Sequence, residues 1–216
     1  MKIIKINNHI HLIGQDNSIV SSSIGIISGE DYSLMIDTGA SSAQLKTLES
    51  EIERKELPGN IRYAIITHFH PDHLLNLKCL PLLKVVASKN TSRYIHVDQI
   101  IDKATDLDLQ DIKVTVFPLP SVHAKGSIGV YLPKEQITFI GDALCMKEKD
   151  RKPYTNKDIT INMINTLRSY PTKKYILGHE PSSLTQDQIN DYLNSIYKQC
   201  KNSRSTDVFL SENLIF

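Results

Sequence analysis

The chain has 216 residues, enough for a sizeable core, and with 40 % hydrophobic and 23 % charged residues it reads as folded and soluble. Its 25 Lys and Arg against 24 Asp and Glu leave a net charge of +1, which argues against a nucleic-acid partner, because phosphate binding leaves a basic excess. No run of about 18 apolar residues occurs, so no membrane span is predicted, and the dispersed Cys79, Cys145 and Cys200 favour a reducing, cytoplasmic setting.

Met1 to Asn7 lacks the apolar stretch and cleavage site of a signal peptide. Ile3 to Ile6 and Ile10 to Ile13 read as strands about a turn at Asn7-Asn8, followed by strands over Ser21 to Ser28 and Tyr32 to Ile36. Ser41 or Ser42 caps a helix running to about Lys55, with Leu45, Leu48 and Ile52 along one face. Arg62 to Thr67 is a strand, as is Lys84 to Ala87; Ser92 to Ile101 reads as a weak helix and Ile112 to Phe117 as an alternating strand. Ser127 to Leu132 and Gln136 to Ile140 form two strands joined at Pro133-Lys134-Glu135, and the polar Lys147 to Asp158 reads as a loop. A helix over Ile159 to Tyr170, a strand over Tyr175 to Leu177 and a helix from Thr185 to about Lys201 complete the pattern. Strands first, then alternating strands and helices, predict an α/β (α+β) domain spanning 1–216, with helices covering packed sheets.

The densest chemical signal is Thr67-His68-Phe69-His70-Pro71-Asp72-His73, directly after an apolar strand. Imidazole and carboxylate are the donors that zinc and similar divalent ions accept. In an extended segment His68 and His70 share a face, so they can grip one ion; the turn at Pro71 aims Asp72 and His73 elsewhere, toward a second. Three further strand ends carry ligand-type residues: His123 after Phe117-Pro118, Asp142 behind Gly141, and His179 behind Gly178. Strand ends along one sheet edge converge in space, where sites are commonly built. His9, His11 and His96 have no such context and read as structural or surface residues.

Asp37-Thr38-Gly39, the His68-x-His70-x-Asp72-His73 run, His123, Asp142 and His179 together resemble the metallo-β-lactamase superfamily. That resemblance implies a four-layer αββα sandwich with the site at the edge where two sheets meet. It implies that His68, His70 and His123 bind one metal, that Asp72, His73 and His179 bind a second, and that Asp142 bridges both. Asp37 would hold a ligand imidazole in orientation. The cofactor expected is a pair of divalent ions, zinc first, with iron or manganese as alternatives.

Such a pair, about 3.5–4 Å apart, holds a water between the ions and lowers its pKa toward about 7. The expected reaction is attack of that bridging hydroxide on an ester or thioester bond, with Asp72 as the catalytic side chain that orients the nucleophile or passes on its proton. The partner expected is a small molecule. The segments about Gly126-Ser127-Ile128-Gly129 and Gly141-Asp142-Ala143-Leu144 are similar to small glyoxalase II-like members. Leu74-Leu75-Asn76-Leu77 replaces the family's usual glycine pair, and Pro120-Ser121-Val122 replaces its usual Thr-Pro-Gly. A lactonase, a phosphodiesterase and a persulfide dioxygenase with a single iron remain alternatives, and a binding protein that kept the fold is a further one. Cys145 stands where lactonases carry a tyrosine, and on composition alone it reads as a buried structural cysteine. Lys149 and Arg151, in the basic run after Asp142, are candidates to meet an anionic group of the substrate.

Overall fold

The computed structural model describes residues 2–179 and 183–211. In the first sheet β1 (Ile3–Lys5), β2 (Ile10–Ile13), β3 (Ile24–Ser28) and β4 (Ser33–Ile36) run antiparallel. β5 (Ile61–Ile65), β6 (Lys84–Ala87) and β7 (Gln99–Ile100) then add in parallel. The second sheet is built from β8 (Thr105–Asp108), β9 (Lys113–Pro118), β10 (Ile128–Leu132) and β11 (Ile137–Gly141). Beyond Lys147–Lys149 (β12) and Lys152–Asn156 (β13), this second sheet is completed by β14 (Lys174–Leu177) and β15 (Ser183–Thr185), in the order β15-β14-β11-β10-β9-β8. β12, β13 and β16 (Asp207–Phe209) form a small third sheet.

Side-chain alternation sorts the apolar residues into layers. Ile27, Leu34 and Ile65 of the first sheet meet Val116, Ile128 and Val130 of the second in one core. On the other face of the first sheet, Ile24, Ile26 and Met35 pack against Leu48 of α1 (Ser42–Glu53). The outer face of the second sheet, including Phe117 and Tyr131, is covered by α3 (Lys157–Arg168) and α4 (Gln186–Asn202), through Met163, Ile164, Ile189 and Ile196. The result is the αββα sandwich. A short helix, α2 (Pro71–Leu74), follows β5 and starts at Pro71, whose fixed φ and missing N–H suit a first helical turn.

Two expectations are corrected. The helix expected over Ser92 to Ile101 is a 3-10 turn at Thr91–Arg93 followed by β7. Asp98 Oδ2 accepts from Val85 N (2.7 Å), which holds the segment along β6 in extended form. The loop expected over Lys147 to Asp158 is instead a hairpin that runs into α3. Asp150 and Arg151 at its tip both take positive φ (52° and 60°), as a tight hairpin turn requires, and Pro153 and Thr155 alternate inward beneath a polar face.

The capping of α1 falls on Ser41, whose side chain accepts from Ala43 N while Gln44 closes a capping box. The Ser41 hydroxyl also donates to Asp16, in the loop between β2 and β3, which accepts from Ser18 as well. These bonds, from Ser41 first, hold the Asp16 carboxyl at about 2, below the ordinary 3.8. A carboxylate depressed on folding stabilises fully above 3.8, and that contribution is lost as pH falls toward 2. Thermal melts should therefore show Asp16→Asn below wild type at neutral pH, with the gap closing over that acid window; a gap independent of pH would contradict the assignment.

Candidate metal centre

Parallel pairing brings the carrier strands to a common edge. β4 lies beside β5, and β11 beside β14, so Asp37, the 67–73 segment, Asp142 and His179 all follow strand ends that stop together. The two sheets are stitched there by backbone bonds from Ile128 N to Thr67 O (2.9 Å) and from Ser23 N to Gly178 O (2.7 Å), while Ser22 N to Asp72 O (3.1 Å) ties the segment before β3 to α2 within the first sheet's edge.

His68 and His70 lie just beyond β5 in a bend, and they do share a face: His68 Nε2 is 3.0 Å from His70 Nδ1. His123 Nε2 comes to 2.8 Å of the same His70 Nδ1. On the other side, Asp72 Oδ2 lies 3.3 Å from His73 Nε2 and 3.0 Å from His179 Nε2. Asp142 Oδ2 sits between the two groups, 3.3 Å from His73 Nε2, 3.4 Å from both His123 Nε2 and His179 Nε2, and 3.9 Å from His68 Nε2. All seven residues named from the sequence are thus brought together, whereas His9, His11 and His96 belong to no donor cluster among the described residues.

The outer ring nitrogens are held by the protein. His73 Nδ1 faces Asp37 Oδ2 at 2.8 Å, His68 Nδ1 faces Thr67 Oγ1 at 3.2 Å, and His179 Nδ1 faces Gln15 Oε1 at 3.2 Å. Each such partner favours a proton on the outer nitrogen and turns the inner lone pair toward the centre. Asp37 takes φ 55°, a left-handed conformation that Asp tolerates, and is buried. Its Oδ1 accepts from Thr67 N (2.8 Å) and its Oδ2 from Thr67 Oγ1 (2.7 Å).

Electrostatics divides the site. Burial, then the positive field of His73, pushes His68 down to about 2, and burial lowers His123 against the pull of Asp142. Burial also opposes a charge on His73, but the Asp37 carboxylate and hydrogen bonds to Asp142, Asp37 and Asp72 outweigh it and raise that imidazole well above its ordinary value. His179 is raised to about 9 by hydrogen bonds to Asp142 and Asp72. For Asp72 and Asp142 burial works upward, yet bonds from His179 and His73 hold both carboxyls below their usual range. Five imidazoles and two carboxylates thus turn nitrogen and oxygen donors toward one another. Asp142 Oδ1 is buried with no hydrogen-bond partner among the described residues, so it keeps capacity to accept a cation. The nitrogen and oxygen donors fit divalent ions of the zinc, iron or manganese kind.

The family model of the metallo-beta-lactamase superfamily matches residues 18–179. The chain belongs to this superfamily. Among solved structures, a metallo-beta-lactamase from Pontibacter korlensis is 21 % identical with a TM-score of 0.70, and the match covers 94 % of this chain and 99 % of that one. The chemotaxis sensor ODP, described with a peroxy diiron species, matches with a TM-score of 0.72 at 16 % identity over 91 % of this chain and 94 % of that one. Rubredoxin oxygen:oxidoreductase from Desulfovibrio gigas matches with a TM-score of 0.72 at 15 % identity, over 94 % of this chain and 63 % of that one. No curated protein matches the chain. The superfamily binds divalent metals, and both lactamases and diiron proteins share this fold.

Several contributors carry no signal in the sequence. Gln15 lies 164 residues from its partner His179, and Thr67 is read there only as a strand end. Gly178 is dictated by space: a Cβ there would lie 2.2 Å from Asp142 Oδ1 and 2.7 Å from His73 Cε1. Gly178→Ala is therefore expected to displace Asp142 and weaken zinc binding about 10–100-fold, the usual cost of disturbing groups that position ligands. A chelator-competition titration checks this; unchanged affinity in the folded variant would contradict it. Cys145, expected to be buried and structural, is exposed. It ends the turn that follows Asp142, where its N–H donates to Asp142 O (2.9 Å).

Proposed function

We propose that the chain is a binuclear metal-dependent hydrolase, glyoxalase II-like, that cleaves an ester or thioester bond in a small anionic substrate. One observation carries the reading: Asp142 Oδ2 stands 3.3–3.4 Å from His73, His123 and His179 at once, which ties the two donor groups into one centre. His68, His70 and His123 would hold one ion and Asp72, His73 and His179 the other, with Asp142 within reach of both groups. Zinc is the first choice of metal, with iron or manganese as alternatives. Divalent ions bound there supply a water acidified toward a pKa of about 7 and a Lewis acid for the developing negative charge. Asp72, half-buried at the mouth, orients the nucleophile, and Asp37 keeps His73 in the tautomer that binds.

Two features, an aromatic shelf against His70 and a basic hairpin later in the chain than Asp142, support the substrate class. Tyr94, 63 % exposed, stacks on Phe69 (4.7 Å, 14°), whose ring meets His70 edge-on at 5.0 Å. That apolar shelf suits an acyl chain or ring. On the stretch after Asp142, the exposed Lys149 and Arg151 sit at the tip of the β12–β13 hairpin. Lys149→Ala and Arg151→Ala are each expected to raise KM for an anionic ester about two- to fivefold, the scale of exposed charge pairs, and to leave a neutral ester unchanged. Equal effects on both substrates would show that the hairpin does not read charge.

A second reading, an iron-dependent oxidoreductase, is favoured by the comparable likeness to a sensor described with a peroxy diiron species and to an oxygen oxidoreductase. The test is one preparation loaded in turn with zinc, manganese and iron, offered a thioester, a lactone and a phosphodiester, with oxygen uptake followed in the presence of a persulfide. Metal-dependent cleavage of the thioester without oxygen uptake supports the hydrolase. Oxygen uptake confined to the iron form, with no cleavage, replaces it by the second reading.

A further inference from the structure

The small sheet of β12, β13 and β16 has one face turned to the core and one turned to solvent. Pro153, Thr155 and Val208 are buried, and Val208 packs into the apolar cluster under α3 and α4. The antiparallel register sets Lys147, Tyr154 and Phe209 side by side in one outward row, and Lys149 beside Lys152 in the next. Phe209 is 50 % exposed, and its ring lies 6.1 Å from that of the half-buried Tyr154, tilted by 43°. Among the described residues the ion pairs of lysine and arginine are those of Arg54, Arg62 and Lys113, so Lys147, Lys149 and Lys152 have no ion-pair partner there. Glu148 belongs to the opposite face, and Asp207, beside Asn156, lies one row beyond Phe209. The outward row begins close to the metal centre. Cys145, whose Sγ lies within 4.8 Å of a His123 ring nitrogen and an Asp142 oxygen, precedes Lys147 by two residues, which span at most about 7 Å.

We propose that this face receives the nucleotide end of a thioester substrate, with a base on Phe209 and Tyr154 and phosphates on Lys147, Lys149 and Lys152. The inference rests on the reading of the centre as one that cleaves a thioester. An exposed aromatic ring offers a π-face to any base, and lysine takes phosphate as a point charge. A hydrocarbon tail would leave the lysines unused, and a simple carboxylate would leave the rings unused; a nucleotide engages both. A flat face of two rings and three exposed cations holds a free nucleotide weakly, because each exposed charge contributes little. Tethering changes that. A thioester seated at the metal centre presents its far end at high effective concentration, so weak contacts lower KM without taking part in bond cleavage.

Nuclear magnetic resonance reports on the face independently of activity. On titration of isotope-labelled protein with ADP, amide shifts are expected over the three strands at 147–149, 152–156 and 207–209, with binding that weakens as salt is added. Phe209→Ala should weaken that binding at least about fivefold, the scale of one base–aromatic stack, and Lys147→Glu about two- to fivefold. Leu82→Ala, at a residue 94 % exposed before β6, should change nothing. In the zinc-loaded protein, acetyl-coenzyme A should show a KM at least about tenfold below that of S-acetyl-N-acetylcysteamine, which carries the same thioester without a nucleotide. Phe209→Ala should bring the two KM values toward each other. Cleavage of both thioesters with equal KM, and no ADP-induced shifts on this face, would overturn the inference and leave the hydrolase standing. ADP shifts on the face with neither thioester cleaved would support the nucleotide site and overturn the thioester reading. Short oligouridylate bound at least about 100-fold more tightly than ADP would overturn the inference in favour of a single nucleic-acid strand.

Discussion

Asp142→Ala should abolish stoichiometric metal binding and reduce hydrolysis to background while leaving the protein folded. The carboxylate faces His68, His73, His123 and His179 through one oxygen, so its loss removes the one negative charge common to both donor groups. Removing one partner from a buried charged set costs far more than the bond it made, because the others are left uncompensated. The fold is expected to survive because the three main apolar layers are built from other residues and Asp142 lies past the end of β11. Metal analysis and far-ultraviolet circular dichroism of the same sample check both halves. Full turnover in the folded variant would remove the bridging role.

Asp37→Asn is expected to lower metal affinity about 10–100-fold with little effect on the fold, the range seen when a group that orients a ligand histidine is altered. Asparagine keeps the shape, tolerates φ 55° and can still accept from Thr67 N. What it cannot do is accept from His73 Nδ1 and from Thr67 Oγ1 through the same second oxygen. An amide N–H aimed at that ring favours the other tautomer, which puts the proton on Nε2, the nitrogen that faces Asp72 and Asp142. Asp37→Ala goes further and leaves the buried Thr67 N–H without its partner, at a cost of about 1–3 kcal/mol in stability. The pair of variants separates the two effects: a chelator-competition titration should show Asp37→Asn weak in metal but near wild type in melting temperature. Unchanged affinity in Asp37→Asn would mean that His73 is oriented by other contacts.

The parts of this molecule that sequence exposes are those where one physical rule dominates. Four ligand-type side chains around Pro71 are visible because a strand end and a proline fix where they point. His123, Asp142 and His179 are visible because each follows an apolar run, and the parallel pairs β4–β5 and β11–β14 carry such ends to one place. The elements that escape are short and polar. β8 and β16 are mostly exposed edge strands whose pairing is set by tertiary context, and the β12–β13 hairpin hides its alternation under Lys147, Lys149 and Lys152. The Ser92 to Ile101 stretch misleads in the opposite direction, because the side chain of Asp98, bound to Val85 N, decides its path and no local periodicity records that. Gln15 reaches the centre only through the folded chain, since its contact with His179 joins residues distant in sequence.

Two cations gathered by seven side chains are the core of this account, and counting them tests it most directly. Purified protein, stripped with chelator and reloaded with zinc, should retain about two ions per chain after desalting, and Asp142→Ala treated in the same way should retain fewer than one. A wild-type protein that keeps no stoichiometric metal under zinc, iron or manganese would contradict it.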